Sequence, residues 1–364
     1  MAVNMRVITS CDEDIRAAAE AIKAGRLAAF PTETVYGLGG DAFNVSALAR
    51  IFEAKRRPRF DPLIVHIADL STLDMTAETG SLAPSLRAKL SLLCRNLWPG
   101  PLTLVLPKQP AVPGLATSGL PTVAVRFPSH PVAQKLIRYS TGAVAAPSAN
   151  PFGYLSPTKA SHVQEQLGER VDFIIDGGNA GIGVESTVLD LTEEPARILR
   201  PGGAPREAIE AIIGHVEMGS LPTHAVLRAA SCAAPCAAPL PAPHSPGQLA
   251  SHYAPNAPLF LHDAGAMLNL SFCPDEAYLF FDEETRGEWN MRNAVDADGR
   301  IFTLARGANT GTVDKTLEAA ANLFDILHII DKIKPSAIHA QKSPDAGLGA
   351  AINDRLTRAA AKRR

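Results

Sequence analysis

The sequence has no uninterrupted apolar run near the ~18 residues that a membrane-spanning helix requires. Residues 1–9 carry nothing like the apolar segment of a signal peptide. The expectation is therefore a soluble, cytoplasmic protein with no membrane contact. An excess of one charge is also missing: 35 basic and 37 acidic residues leave a formal charge of -2. No overall field draws in nucleic acid or an anionic lipid surface, so any anionic ligand must be held by a local cluster. Cysteine is scarce and odd in number, at Cys11, Cys94, Cys232, Cys236 and Cys273. That excludes a disulfide framework and fits a reducing compartment. Cys232 and Cys236 lack the second ligand pair of a zinc site. The G-x-x-x-x-G-K-[ST] phosphate loop and internal repeats are absent as well.

What is present is globular: 364 residues, 46% hydrophobic and 20% charged, a length that predicts two domains. Proline marks the boundary. Residues 222–258 hold eight of the 29 prolines, and each removes a backbone donor and fixes φ. Before it, apolar runs at 27–30, 63–67, 102–106, 122–126, 143–146, 171–175 and 187–191 read as strands. They alternate with helical patterns beginning at Asp12 and near 46–54, 84–96, 130–139, 158–167 and 205–213. The irregular spacing predicts a mixed twisted sheet. After the boundary, strands are expected at 259–262, 277–281, 301–304 and 337–340. A long helix over 312–332 should bury Val313, Leu317, Ala320, Phe324 and Leu327 on one face. The expected domains are 1–210, a linker over 211–257, and a smaller α/β domain over 258–364.

Six segments combine hydroxyls, cations and glycines. Residues 30–40 read Phe-Pro-Thr-Glu-Thr-Val-Tyr-Gly-Leu-Gly-Gly, a hydroxyl- and glycine-rich turn after a strand. Lys55-Arg56-Arg57-Pro58-Arg59 places four cations in five positions, where Pro58 and Pro62 hold an extended, solvated loop suited to a triphosphate or an RNA backbone. His66 lies in the strand that follows, with Val65 and Ile67 on the opposite face; a core histidine is the plainer reading of it. Arg126 ends a strand, placed to grip a carboxylate. Pro147-Ser148-Ala149-Asn150-Pro151 is a loop fixed by prolines. Glu185-Ser186-Thr187-Val188 and Leu199-Arg200-Pro201-Gly202 complete the set, each alone ordinary turn chemistry.

In combination and order, these motifs resemble the YrdC/Sua5 family from about residue 6 to 205. The Ser245-Pro246-Gly247…Ser251-His252-Tyr253-Ala254-Pro255 stretch and the second domain extend the resemblance to the long Sua5 type. The resemblance implies a concave active site on a twisted sheet, followed by a Rossmann-like C-terminal domain. It implies an L-threonylcarbamoyladenylate synthase, which joins L-threonine, bicarbonate and ATP and releases pyrophosphate. The product would supply a tRNA threonylcarbamoyl transferase complex that makes N6-threonylcarbamoyladenosine, so tRNA is an indirect partner. Carried over by position, Lys55 and Arg57 would be catalytic. Arg57, Asp61, Thr122, Ser148, Asn150, Ser156, Arg200 and Tyr253 would hold ATP. Thr34, His66, Arg126, Ala146 and Ser186 would hold threonine. Mg2+ would ride on the ATP phosphates without protein side-chain ligands. Two departures stand out: Asp61 where the family has Asn, offset by Mg2+ or Arg59, and Gln248 where it usually has Met. An RNA-binding module without adenylating activity is the alternative. Near-neutral charge and the lack of aromatics among the cations weigh against it. A hydrogenase-maturation carbamoyl-adenylate enzyme would carry zinc-binding cysteine pairs and an acylphosphatase region, neither visible here.

Overall fold

The computed structural model describes residues 5–219, 252–295, 299–307 and 311–361. Most of the expected linker, including Gln248, lies outside the described residues. The strands are β1 Arg6–Ile8, β2 Ala28–Phe30, β3 Gly37–Asp41, β4 Ile64–Ile67, β5 Leu102–Pro107, β6 Thr122–Arg126, β7 Ala143–Ala145, β8 Phe173–Ile175, β9 Thr187–Asp190, β10 Arg197–Arg200 and β11 Glu217–Met218. They form one mixed sheet in the order β1-β8-β2-β3-β7-β4-β6-β5-β9-β10-β11. The second sheet, all parallel, runs β12 Leu259–His262, β15 Ile338–Gln341, β13 Ala277–Asp282, β14 Ile301–Ala305. The mixed sheet and the smaller α/β unit are those expected from the hydrophobic periodicity. The glycine-rich segment differs: Gly37, Gly39 and Gly40 lie in β3, not in a turn. A Cβ on Gly39 would come within 2.7 Å of the Phe30 ring, so small residues are what let β3 pack there.

Alternation along the central strands gives the large sheet two different faces. Val65, Ile67, Leu104, Leu106, Val123 and Val125 point into the main hydrophobic core with helices Val45–Lys55 and Pro84–Leu97. Ile64, Val105, Ala124 and Val188 form a small cluster on the other face, which also carries His66, Thr103 and Arg126. This second face holds the site.

The C-terminal domain docks beside that face. Val35, Leu155, Val184 and Tyr253 join the core built around helix Thr312–Lys332. A Cβ on Gly183, at φ +78°, would sit 2.2 Å from the Ala320 carbonyl oxygen, so only glycine admits this approach. His162 stacks on His328 across the boundary, ring centroids 3.9 Å apart, flanked by Lys159–Asp325 (2.7 Å) and Lys332–Glu165 (2.8 Å). Burial first, and His328 second, push the His162 imidazole down to about 3 and keep it neutral. The helix over 312–332 has the expected bounds and buries Ala320, Phe324 and Leu327 as expected, but not the rest of the expected stripe. Val313 and Leu317 are exposed, and the buried face is Thr316, Ala319, Ala320, Leu323, Phe324, Leu327 and Ile330. The stripe is set by the neighbouring domain as well as by the helix's own sheet, so one helical phase read from apolar residues alone recovers only part of it.

Candidate active site

A pocket of about 500 Å³, including its open mouth, lies on the polar face of the large sheet and is lined by strand ends from many parts of the chain. Thr32 and Thr34 come from the segment after β2, Gly37 from β3, His66 from β4, Arg126 from β6 and Ala146 and Ser148 from the loop after β7. Glu185 and Ser186 precede β9, Arg200 ends β10, and His252 and Tyr253 arrive from the residues preceding the second domain. A Cβ on Gly202 would lie 2.3 Å from the Glu185 carbonyl oxygen, so glycine is what lets the loop after Arg200 close on the Glu185-Ser186 backbone.

One corner holds the residues expected to bind threonine. Arg126 Nη1 donates to Thr34 Oγ1 at 2.8 Å, Nη2 pairs with Glu33 Oε1 at 2.6 Å, and Nε donates to the Gly100 carbonyl at 3.3 Å. The Thr32 and Thr34 hydroxyls are 2.8 Å apart, and the Ser186 hydroxyl lies 2.8 Å from Thr103 Oγ1. Burial, then Arg126, push the His66 imidazole down to about 3. The neutral ring donates from Nδ1 to the Ile64 carbonyl at 3.3 Å, which leaves Nε2 as an acceptor. His66 is thus buried as the plainer reading held, yet it also lines the pocket. Ala146 lines the same corner with its own N–H spent on the Ile64 carbonyl.

The residues expected to bind ATP divide. Arg57, Ser148, Arg200 and Tyr253 line the pocket. Arg200 Nη2 donates to the Ser186 carbonyl at 2.9 Å. Tyr253 is buried at φ +61°, its ring 4.1 Å from that of His252 and 5.8 Å from that of Phe324. Asp61, Asn150 and Ser156 are buried behind the wall. Asn150 Nδ2 turns to the Pro151 and Tyr154 carbonyls, and the Ser156 hydroxyl donates to Glu185. Thr122 begins β6, roughly 13 Å along the strand from Arg126 at its far end, and does not line the pocket.

The cation cluster departs most from expectation. Lys55 and Arg57 are 1% and 7% exposed rather than on a solvated loop. Helix Val45–Lys55 ends at Arg56 in the left-handed region (φ 52°), which turns the chain and sends Arg57 inward, while Arg56 and Arg59 stay at the surface. Lys55 Nζ donates to the Ser148 carbonyl at 2.5 Å and to that of Asn150, so it braces the pocket wall from behind. Burial, then Arg57, hold its ammonium well below the usual lysine range. Arg57 donates from Nε to the Asp61 carbonyl (3.1 Å) and from Nη2 to the Pro62 carbonyl (2.8 Å), while Nη2 stands 2.9 Å from Asp61 Oδ2 as an ion pair outside hydrogen-bond alignment. The partner that offsets Asp61 is therefore Arg57, not Arg59.

Burial pushes the Asp61 carboxyl up by more than Arg57, Lys55 and Arg200 pull it down. A raised folded-state value favours folding at low pH, and that contribution fades as pH rises through it. Asp61→Asn removes the titration. Its melting temperature should gain on the wild type as pH rises from the ordinary carboxylate value of ~4, and the gain should level off once pH passes the raised folded-state value. A gap that closes with rising pH would refute this assignment. Any fixed cost of weakening the Arg57 pair shifts both ends of the comparison equally.

Sequence reasoning assigned no role to Glu33, Glu185 or Arg355. Glu33 and Glu185 sit inside quoted motifs, so their positions were in view. Their arginine partners were not.

Two family models match the chain. A family model described as "Telomere recombination", that of the Sua5/YciO/YrdC domain, matches residues 20–202. One described as "Threonylcarbamoyl-AMP synthase, C-terminal domain" matches residues 205–361. The chain is 41% identical to the threonylcarbamoyl-AMP synthase of Pyrococcus abyssi over 96% of its length and 94% of that protein's. It is 40% identical to that of Bacillus subtilis, over 98% and 95%. Among solved structures it is similar to P. abyssi Sua5 complexed with L-threonine, with a TM-score of 0.77 and 37% identity over 98% of this chain and 97% of that one. With the whole chain matched and both domains accounted for, the protein belongs to the Sua5/YciO/YrdC family, in the two-domain form that carries the threonylcarbamoyl-AMP synthase C-terminal domain.

Proposed function

We propose that the protein is a threonylcarbamoyl-AMP synthase that uses ATP to activate an N-carboxylated L-threonine. The observation that carries this reading is the likeness along its full length to enzymes of that name, one of them crystallised with L-threonine. Supporting it, one pocket unites three arginines with hydroxyls and two histidines, His66 and His252, whose imidazoles burial keeps neutral. Such a set suits nucleotidyl transfer, which needs positioning and charge neutralisation more than covalent chemistry.

In this reading threonine lies among Thr34, His66, Arg126, Ala146 and Ser186, its carboxylate toward Arg126. His66, with a value of about 3, is too weak a base to deprotonate an ammonium; it orients the substrate by accepting a hydrogen bond at Nε2. Threonine ammonium and bicarbonate give the carbamate, water and a proton. A carbamate oxygen then attacks the α-phosphorus, and pyrophosphate leaves. Arg57 and Arg200 face the phosphates, Ser148 lies beside them and Tyr253 covers the nucleotide. Asp61, Asn150 and Ser156 support that subsite from behind. The nearby carboxylates Glu33, Asp61 and Glu185 are each committed to an arginine and do not compose a magnesium site. Mg2+ belongs to the substrate complex MgATP, and no step here runs through it. We place the reaction in the cytosol, upstream of a tRNA threonylcarbamoyl transferase. No described helix is long and apolar enough to cross a membrane.

Pyrophosphate should appear only when ATP, threonine and bicarbonate are all present, with threonylcarbamoyl-AMP detected by mass spectrometry. Pyrophosphate release that is indifferent to threonine would sink the assignment.

A further inference from the structure

Glu185 places a carboxylate, 6% exposed, on the wall of the pocket that also holds Arg57, Ser148 and Arg200. Left alone, a negative charge there repels a triphosphate. Its partner comes from the other domain. Arg355, on helix Gly349–Ala360, crosses the boundary and donates from Nε to Glu185 Oε2 at 2.7 Å. Both side chains are buried, where a charge pair is held firmly and breaking one side leaves the other stranded. The same guanidinium donates from Nη1 to the Pro201 carbonyl at 3.0 Å and to Asp354 at 2.6 Å, and its carbon lies 5.1 Å from the centre of the Tyr253 ring. Arg358 holds Asp354 in turn, and its carbonyl accepts from the His252 N–H at 3.3 Å. One helix of the second domain thus touches Glu185, Tyr253 and the backbone beside it. Burial pushes the Glu185 carboxyl up, but Arg355, Arg200 and the Ser156 hydroxyl outweigh it, so the charge that needs neutralising persists.

We propose that Arg355 is a positioning residue for adenylate formation: through it the C-terminal domain neutralises Glu185 and fixes the Tyr253 ring, and so sets the affinity for ATP. This rests on the function proposed above and adds a stated task for the second domain at the site of the first.

Arg355→Met keeps the packed stem and removes the charge. The expected result is a KM for ATP raised about tenfold or more, with the KM for threonine moving much less. Adding Glu185→Gln should recover most of the ATP affinity, because a neutral amide does not repel phosphate. A folded Arg355→Met protein with wild-type KM for ATP overturns the proposal. So does a loss that Glu185→Gln fails to recover, since a mere strut is indifferent to the charge at residue 185. Should Arg355→Met not melt cooperatively, the same cycle is run with Arg355→Lys. Because lysine keeps the charge, the KM for ATP should then stay within about threefold of wild type in both backgrounds, and a rise as large as that expected of Arg355→Met overturns the idea. Wild-type turnover that requires threonine and bicarbonate checks the underlying function separately, so the two failures are told apart.

Discussion

Replacing Arg57 by alanine should lower pyrophosphate release from ATP by about 10²–10³-fold, the usual cost of removing one preorganised charge from a site where negative charge develops. Nε and Nη2 of Arg57 are committed to Asp61 and Pro62, so its charge is held in place before substrate arrives. The same substitution takes the nearest cation from Asp61, whose fully buried carboxyl oxygens accept no hydrogen bond among the described residues. A loss of about 3–5 kcal/mol in unfolding free energy should accompany the loss of rate. Lys55→Ala should behave differently in one respect. Lys55 is behind the wall rather than in it, and its loss frees the Ser148 and Asn150 carbonyls, so the loop carrying Ser148 loosens. Single-turnover adenylate formation and a melting curve on each variant separate the two cases. Arg57→Ala with wild-type turnover would show that its charge plays no part in the chemistry.

Arg126→Gln should raise the KM for threonine by about 30- to 4000-fold, from the roughly 2–5 kcal/mol lost when one side of a buried charge pair is removed. The guanidinium binds Thr34 and Glu33 together, and Glu33 in turn accepts from the Ser129 N–H at 3.1 Å. Without Arg126, Glu33 keeps the Ser129 N–H but loses its cation, and the corner that must receive the threonine carboxylate loses its positive charge. The effect should fall on threonine and leave the KM for ATP within about threefold, since the nucleotide meets Arg57 and Arg200 instead. Substrate titrations at saturating ATP and at saturating threonine distinguish the two. An equal rise in both constants would mean that Arg126 is a strut of the sheet and not a threonine contact.

The central strands were legible because each is short, bounded by turn residues and two-faced. Period-two alternation put Val65 and Ile67 opposite His66, and their packing into the main core follows that reading. The helix Gly349–Ala360 was not legible. Its alanines give little contrast, and no local spacing shows that its arginines meet Glu185 and Asp354. The loop after Lys55 failed for a different reason. Pro58 argued for an extended, wet segment, but the left-handed turn at Arg56 redirects the chain one residue earlier.

By itself the sequence determined the fold class, the faces of the central strands, the family and the residue types at the site. Those properties are local: each is encoded in a spacing of two to four residues or in a contiguous motif. Only the tertiary structure decided which charges are spent on one another. Arg126 pairs with Glu33 across 93 positions and Arg355 with Glu185 across 170, separations at which no periodicity carries information. Burial then turns those pairings into function. A cation and a carboxylate that would be indifferent in water become, once desolvated, a fixed field for a polyanionic substrate.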